Sequence, residues 1–176
     1  MNLLFRLVWM MVTARRRSRC VMMEETHLSF RVMPTDLDVN MHLTNSRYFS
    51  FMDLSRVDHM IRNGAWKHIR ANKLMPVFGS GPTRFRRAAP PFKRLDITTR
   101  VVGVDDKWIY LEHKIISGET VYSVSILKAA FVDDAGRVPV DRLLTMFGYE
   151  GDLPPMTEAL TLIRDADNAV MEISAA

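Results

Sequence analysis

At 176 residues the chain has the size of one domain, able to bury roughly two-thirds of its unfolded surface without disulfide or metal staples. A content of 48% hydrophobic and 25% charged residues excludes a disordered or multi-span membrane protein, and a single cysteine, Cys20, excludes an internal disulfide or cysteine-built metal centre and suits a reducing, cytoplasmic setting. The net charge of +4 traces to the first twenty residues, where Arg6, Arg15, Arg16, Arg17 and Arg19 stand without an acid; the near-neutral remainder argues against a nucleic-acid partner.

Residues 1–20, MNLLFRLVWMMVTARRRSRC, hold an apolar stretch interrupted by Arg6 and shorter than the ~20 residues a bilayer span needs. The arginines follow the apolar part, the reverse of a secretory signal. Leu3, Leu4, Leu7, Val8 and Met11 share one helical face, with Arg6 and Thr13 away from it. Two readings stay open: an interfacial helix over residues 1–19 in peripheral contact with anionic headgroups of a membrane, or an extra helix packed on the domain or a second subunit.

The segment THLSFRV places Leu28, Phe30 and Val32 on one face and predicts a half-buried strand ending at Pro34. From residue 45 to 63, Tyr48, Phe49, Phe51, Met52, Leu54, Val57, Met60 and Ile61 leave only a narrow polar side, which predicts a helix enclosed on most sides and ended by Gly64. Asp53 and Arg56 fit an ion pair within it or an anchor to a neighbour. A short amphipathic piece at 66–71 precedes four β-rich runs at 76–87, 92–104, 108–117 and 121–132, with hairpin turns at SGET and DDAGR. PVDRLLTMFG and PPMTEALTLIRDA read as terminal helices, and the last ten or so residues are expected to fray. A lone helix apolar on most sides must be wrapped, and a curved antiparallel sheet is what the other segments supply. The fold class is therefore α+β, a curved antiparallel sheet around one long central helix with extra terminal helices.

The stretch PTDLDVNMHLTNSRYFSFMDLSR, residues 34–56, resembles the junction of first strand and central helix in hotdog-fold thioesterases. In the 4-hydroxybenzoyl-CoA thioesterase-like group the strand ends in Asp-x-Asp, here Asp36 and Asp38; the helix then opens at Asn45 to Tyr48 and carries Asp53 and Arg56. In plant acyl-ACP thioesterases the segment reads Asp-Leu-Asp-x-Asn-x-His-x-x-Asn-x-x-Tyr, matched at Asp36, Leu37, Asp38, Asn40, His42, Asn45 and Tyr48. GPTRFRRAAPPFKRLDITTRVVGVDDKWIYLEHKI is similar to the corresponding region of the thioesterase superfamily member six branch. The resemblance covers about residues 26–148, a hotdog domain between a leader at 1–20 and a C-terminal helix and tail at 149–176.

Thioester hydrolysis needs a base or nucleophile beside the carbonyl carbon and donors for the oxyanion, and the free N–H groups at a helix N-terminus can be those donors. The first resemblance implies that Asp38 attacks directly or activates water while the Asn45 N–H polarises the carbonyl; the second implies that Asn40 and His42 position and activate water. Against these stand blander roles: Asp36 as a turn cap, Asn40 and Asn45 as turn and N-cap residues, His42 as a loop histidine and Tyr48 as core rather than substrate contact. Arg84, Arg86 and Arg87, in a run with Lys93 and Arg94 that lacks an acid, suit the phosphates of coenzyme A or the acidic face of an acyl carrier protein; the bland reading is a solvated charge run. Arg84 and Arg86 are expected on one sheet face. His27, His59, His68 and His113 show no metal spacing, so no metal is expected, nor any cofactor beyond the coenzyme A or phosphopantetheine of the substrate. The resemblance implies a homodimer or tetramer that hydrolyses fatty or aromatic acyl-CoA or acyl-ACP. The alternative is a hotdog module that binds acyl thioesters or lipids near a membrane without turning them over, with a hydratase as a third reading.

Overall fold

The computed structural model describes residues 2–175. α1 (Asn2–Ala14) is followed by β1 (Thr26–Arg31), a 3-10 turn at Pro34–Asp36, the long α2 (Asn45–Arg62) and the short α3 (Ala65–Ala71). Then come β2 (Met75–Phe78), β3 (Thr83–Phe85), β4 (Arg94–Val104), β5 (Ile109–Ser117), β6 (Thr120–Asp133) and β7 (Gly136–Val138), and α4 (Val140–Phe147) and α5 (Glu158–Ala175) complete the described chain. The strands form one antiparallel sheet in the order β1-β4-β5-β6-β2, with β3 and β7 also paired to β6. This sheet curls around α2, the α+β hotdog arrangement expected from the sequence.

Burial explains the wrapping. Tyr48, Phe51, Met52 and Leu54 of α2 pack in one cluster with Leu28, Leu95, Ile97 and Ile115 of the sheet. Each such side chain contributes about 2 kcal/mol on leaving water. Both anticipated hairpin turns are present: Ser117 pairs with Thr120 around Gly118 at φ +57°, and Asp133 pairs with Gly136.

Four features differ from the expectations. The run at 76–87 is two strands, because residues 79–82 cross over β6, where Ser80 and Pro82 carbonyls accept the N–H groups of Lys128 and Ile126. Gly81 makes that approach possible, since a Cβ there would lie 1.9 Å from the Ile126 carbonyl oxygen. The short β7 was not anticipated. The C-terminal helix runs on to Ala175, beyond the segment at 154–166 from which it was read. Finally, the narrow polar side of α2 is largely covered, a feature not anticipated: Ser55, Arg56, Asp58 and His59 are buried, while Asp53 stays exposed.

α5 is held by a buried charge. Lys128 is 1% exposed and pairs with Asp167, which also accepts the Ser80 hydroxyl. The Lys128 bond, then that of Ser80, hold the Asp167 carboxyl below its usual range. A carboxylate depressed in the folded state stabilises fully above its unfolded pKa of about 3.9, and this contribution is lost as pH falls through the lower folded value. Asp167→Asn is therefore expected to cost about 2 kcal/mol at neutral pH, below the full penalty of a broken buried pair because Asp167 remains partly exposed. Denaturant titration at several pH values checks this: the gap from wild type should close in acid, and a gap independent of pH would refute the ionic anchor.

Candidate active site

The loop between β1 and α2 is built around Asp38. Its Oδ1 accepts the backbone N–H groups of Asn40 at 2.9 Å and His42 at 3.1 Å, and its own N–H donates to the His42 carbonyl at 2.8 Å. Met41 closes the loop at φ +59°, a left-handed conformation that its N–H bond to the Asp38 carbonyl helps to hold. Leu37 bridges to Leu43, whose N–H donates to the Ala89 carbonyl at 2.9 Å. With Oδ1 occupied by the loop, Asp38 Oδ2 makes no hydrogen bond among the described residues.

Thr44 enters α2 with extended backbone angles and no side-chain cap, so the first-turn N–H groups of Asn45 and Ser46 stay free, at the positive end of an 18-residue helix. Tyr48, one turn on, is 2% exposed; its hydroxyl donates to the Arg87 carbonyl at 3.4 Å and its ring meets Phe85 edge-on at 5.1 Å. Burial, reinforced by Tyr122, pushes its phenol up to about 12, which keeps it neutral. Asp38, His42, Asn45, Tyr48, Arg86 and Arg87 line one open cleft of about 310 Å³, with Leu43, Phe85 and Ala88 completing its wall.

Asn40 and Arg84, candidates for catalysis and for substrate binding, lie outside this cleft. Asn40 is exposed at the loop tip and enters the geometry through its backbone N–H. Arg84, expected on one sheet face with Arg86, does not line the cleft: β3 ends at Phe85, and just beyond it the N–H groups of both Arg86 and Arg87 turn to the Tyr122 carbonyl. Asp36 is 1% exposed and serves the scaffold: Oδ2 accepts the Met33 N–H at 2.9 Å and an Arg6 guanidinium N–H at 2.7 Å, while Arg47 Nε approaches Oδ1 at 3.5 Å.

Sequence reasoning did not anticipate a buried polar chain under α2. Arg56 donates to His113 Nε2 at 3.2 Å, His113 Nδ1–H to Thr99 Oγ1 at 2.9 Å, and Thr99 pairs with Ser55 at 2.6 Å. Burial first, then Arg56, lowers the His113 pKa well below its ordinary value, which leaves Nε2 free to accept. Arg56 also pairs with Asp53 and stacks over Phe78 at 3.8 Å, and burial lowers its pKa to about 10. A signal was present: His113 has the same strand parity as the inward Leu111 and Ile115, whereas Glu112 and Lys114 face outward. A partly open apolar cavity of about 60 Å³ sits beside this chain, near Met60 and Phe131. It lies roughly 20 Å along α2 from Asn45, at 1.5 Å per residue, and is not part of the cleft.

Among the described residues no group of three His, Cys, Asp or Glu side chains is gathered as metal ligands would be, and no helix is long and apolar enough to cross a membrane.

Comparison with known proteins bears on the family and the fold. Thioesterase lcsJ of Purpureocillium lilacinum is 28% identical over 160 residues, covering 75% of this chain and 50% of the relative. Protein THEM6 of Danio rerio is 34% identical over 87 residues, covering 49% and 43%. The chain thus spans about half the length of the curated relatives it matches. A crystal structure of a 4-hydroxybenzoyl-CoA thioesterase mutant in complex with 4-hydroxybenzoyl-CoA superposes with a TM-score of 0.62 at 13% identity, over 69% of this chain and 97% of that one, a likeness of fold. The family model matches residues 32–162, a span that begins at the end of β1 and takes in the Asp38 loop, α2 and every later strand, and on that match the chain belongs to the thioesterase-like superfamily.

Proposed function

We propose that the chain hydrolyses acyl thioesters of coenzyme A or of an acyl carrier protein, with Asp38 as the reacting carboxylate. A water oxygen ends on the acyl carbonyl carbon, the C–S bond breaks, and the departing thiolate takes up a proton, giving free acid and thiol. Asp38 Oδ2 either deprotonates that water or attacks first and is released by it. The Asn45 N–H takes the developing oxyanion, and His42, in the same loop as Asp38 and lining the same cleft, is the candidate for proton transfer. The observation that carries this reading is the convergence of a carboxylate oxygen spared by its own loop with free helix N–H groups in one cleft. Arg86 and Arg87 supply positive charge at its rim for a phosphate-bearing carrier. Exposed Val39, Met41, Phe49 and Phe85 near it support a second copy of the chain covering the cleft, as a dimer or tetramer.

The test is thiol release from a panel of short, long and aromatic acyl-CoA and acyl-ACP substrates, with a small thioester lacking phosphates alongside. Arg86→Ala with Arg87→Ala is expected to raise KM about tenfold for the phosphate-bearing thioesters, with much less effect on the small one; the Tyr48 bond survives because it uses the Arg87 backbone. Arg84→Ala, outside the cleft, should change neither. Equal effects on both substrate types would remove the docking role. Sedimentation of the active species as a monomer would remove the shared site, and bound but unhydrolysed thioesters across the panel would favour the binding module.

A further inference from the structure

α1 packs on the domain and yet leaves a second apolar face open. Leu3, Leu7, Met10, Met11 and Ala14 turn toward the core cluster of α2, and Arg6 sits on this same side to reach Asp36, where the sequence pattern had placed it away. The opposite face presents Leu4, Phe5, Val8, Trp9 and Val12, each more than half exposed, with Phe5 at 72% and Trp9 at 63%. Five large apolar side chains in one continuous stripe are more than the scattered exposure ordinary for a soluble surface.

The stripe runs into positive charge. One turn beyond Val12 the chain reaches Arg15 and Arg16, both exposed, and a cleft of about 560 Å³ opens there between the ends of α1, α2 and α3. Arg15, Arg17, Arg19, Arg62, Lys67 and Arg70 line it, beside Trp66. Two of these cations are already committed: Arg17 at 2.6 Å and Arg62 at 3.5 Å pair with Asp58, a carboxylate 1% exposed. Arg15, Arg19, Lys67 and Arg70 form no ion pair among the described residues. The cleft lies at the C-terminal end of α2, some 25 Å from Asn45 at 1.5 Å per residue, and shares no lining residue with the Asp38 cleft.

We propose that this face docks on a lipid bilayer: the Leu4-to-Val12 stripe enters the boundary between headgroups and acyl chains, and the basic cleft receives anionic phosphate headgroups. Charge complementarity selects the occupant. A second copy of the chain would bring the same cations against one another, whereas an anionic bilayer offers apolar depth beside negative charge in the geometry of the stripe and cleft. Trp9, with an apolar body and a polar N–H, suits the headgroup level. The proposal rests on surface geometry alone and is independent of the reaction at Asp38.

The experiment is co-sedimentation of the full chain with vesicles of phosphatidylcholine alone and of phosphatidylcholine mixed with phosphatidylglycerol. Binding to the mixed vesicles is expected to be at least about tenfold tighter and to weaken as salt screens the headgroups. Phe5→Ser with Trp9→Ser should lower binding to both vesicle types by about tenfold or more while leaving the melting temperature unchanged, since neither side chain is in the core. Lys67→Ala with Arg70→Ala should remove the preference for the anionic vesicles and leave the weaker apolar component. Wild-type binding equal on both vesicle types, undiminished binding by the Phe5/Trp9 variant, or no binding at all would overturn the proposal. So would full displacement by millimolar inorganic phosphate, which would mark a free-phosphate cleft, or a drop in oligomer size on removing Phe5 and Trp9, which would mark the stripe as a contact between copies.

Discussion

Asp38→Asn is expected to lower kcat by about two to four orders of magnitude, the range for a positioned acid–base group, with little change in melting temperature. The amide is the informative replacement because of how the loop uses the carboxylate. Oδ1 accepts the N–H groups of Asn40 and His42, and an asparagine oxygen accepts the same two bonds, so the turn that places residue 38 survives. What disappears is the basicity of the second oxygen, the one the loop leaves free. Alanine would remove the turn together with the charge and confuse the two losses. If Asp38→Asn keeps kcat within a few-fold of wild type, the base is His42 instead, and the large loss should then follow His42→Ala.

The loop and helix that form this site were legible because their determinants are local. An apolar run from Tyr48 to Ile61 calls for a wrapping sheet, and the Asp-x-Asp spacing sits where a strand must end and a helix begin. Residues 79–82 were also punctuated for a break, Gly-Ser-Gly-Pro, but the β-rich residues on either side concealed it. The rest depends on partners distant in sequence. Arg6 reads as a polar interruption of an apolar helix until Asp36, thirty residues away, is seen to face it. Ser55, Arg56 and His59 read only as part of a narrow polar side until Thr99, His113 and Thr26 are found beneath them. Periodicity reports which residues share a face, and it cannot report what that face meets. Arg84, Arg86 and Arg87 make the same point: they form one charged run in the sequence, and only Arg86 and Arg87 line the cleft.

The same distinction separates the two aspartates of the motif, and Asp36→Ala tests it. Asp36 is as deeply buried as the apolar core around it, and its carboxylate ties three elements together: the start of the 3-10 turn through the Met33 N–H, α1 through Arg6 and α2 through Arg47. Removing it leaves guanidinium groups that are 16% and 25% exposed facing an emptied site, and breaking a buried pair in this way costs about 3 to 5 kcal/mol. For a domain of this size each kcal/mol lowers Tm by about 2 to 4 °C, so a fall of roughly 6 to 20 °C is expected. Turnover per folded molecule should fall less than in Asp38→Asn, because Asp36 points into the scaffold and does not line the cleft. Asp36→Asn, which can still accept the Met33 N–H, should fall between wild type and alanine in Tm. Thermal unfolding and kcat measured on both series give opposite orderings if the assignment holds: Asp36 variants lose stability first and Asp38 variants lose chemistry first. A normal Tm with abolished turnover in Asp36→Ala would reverse the roles, making the inner carboxylate the reacting group and the outer one the turn cap.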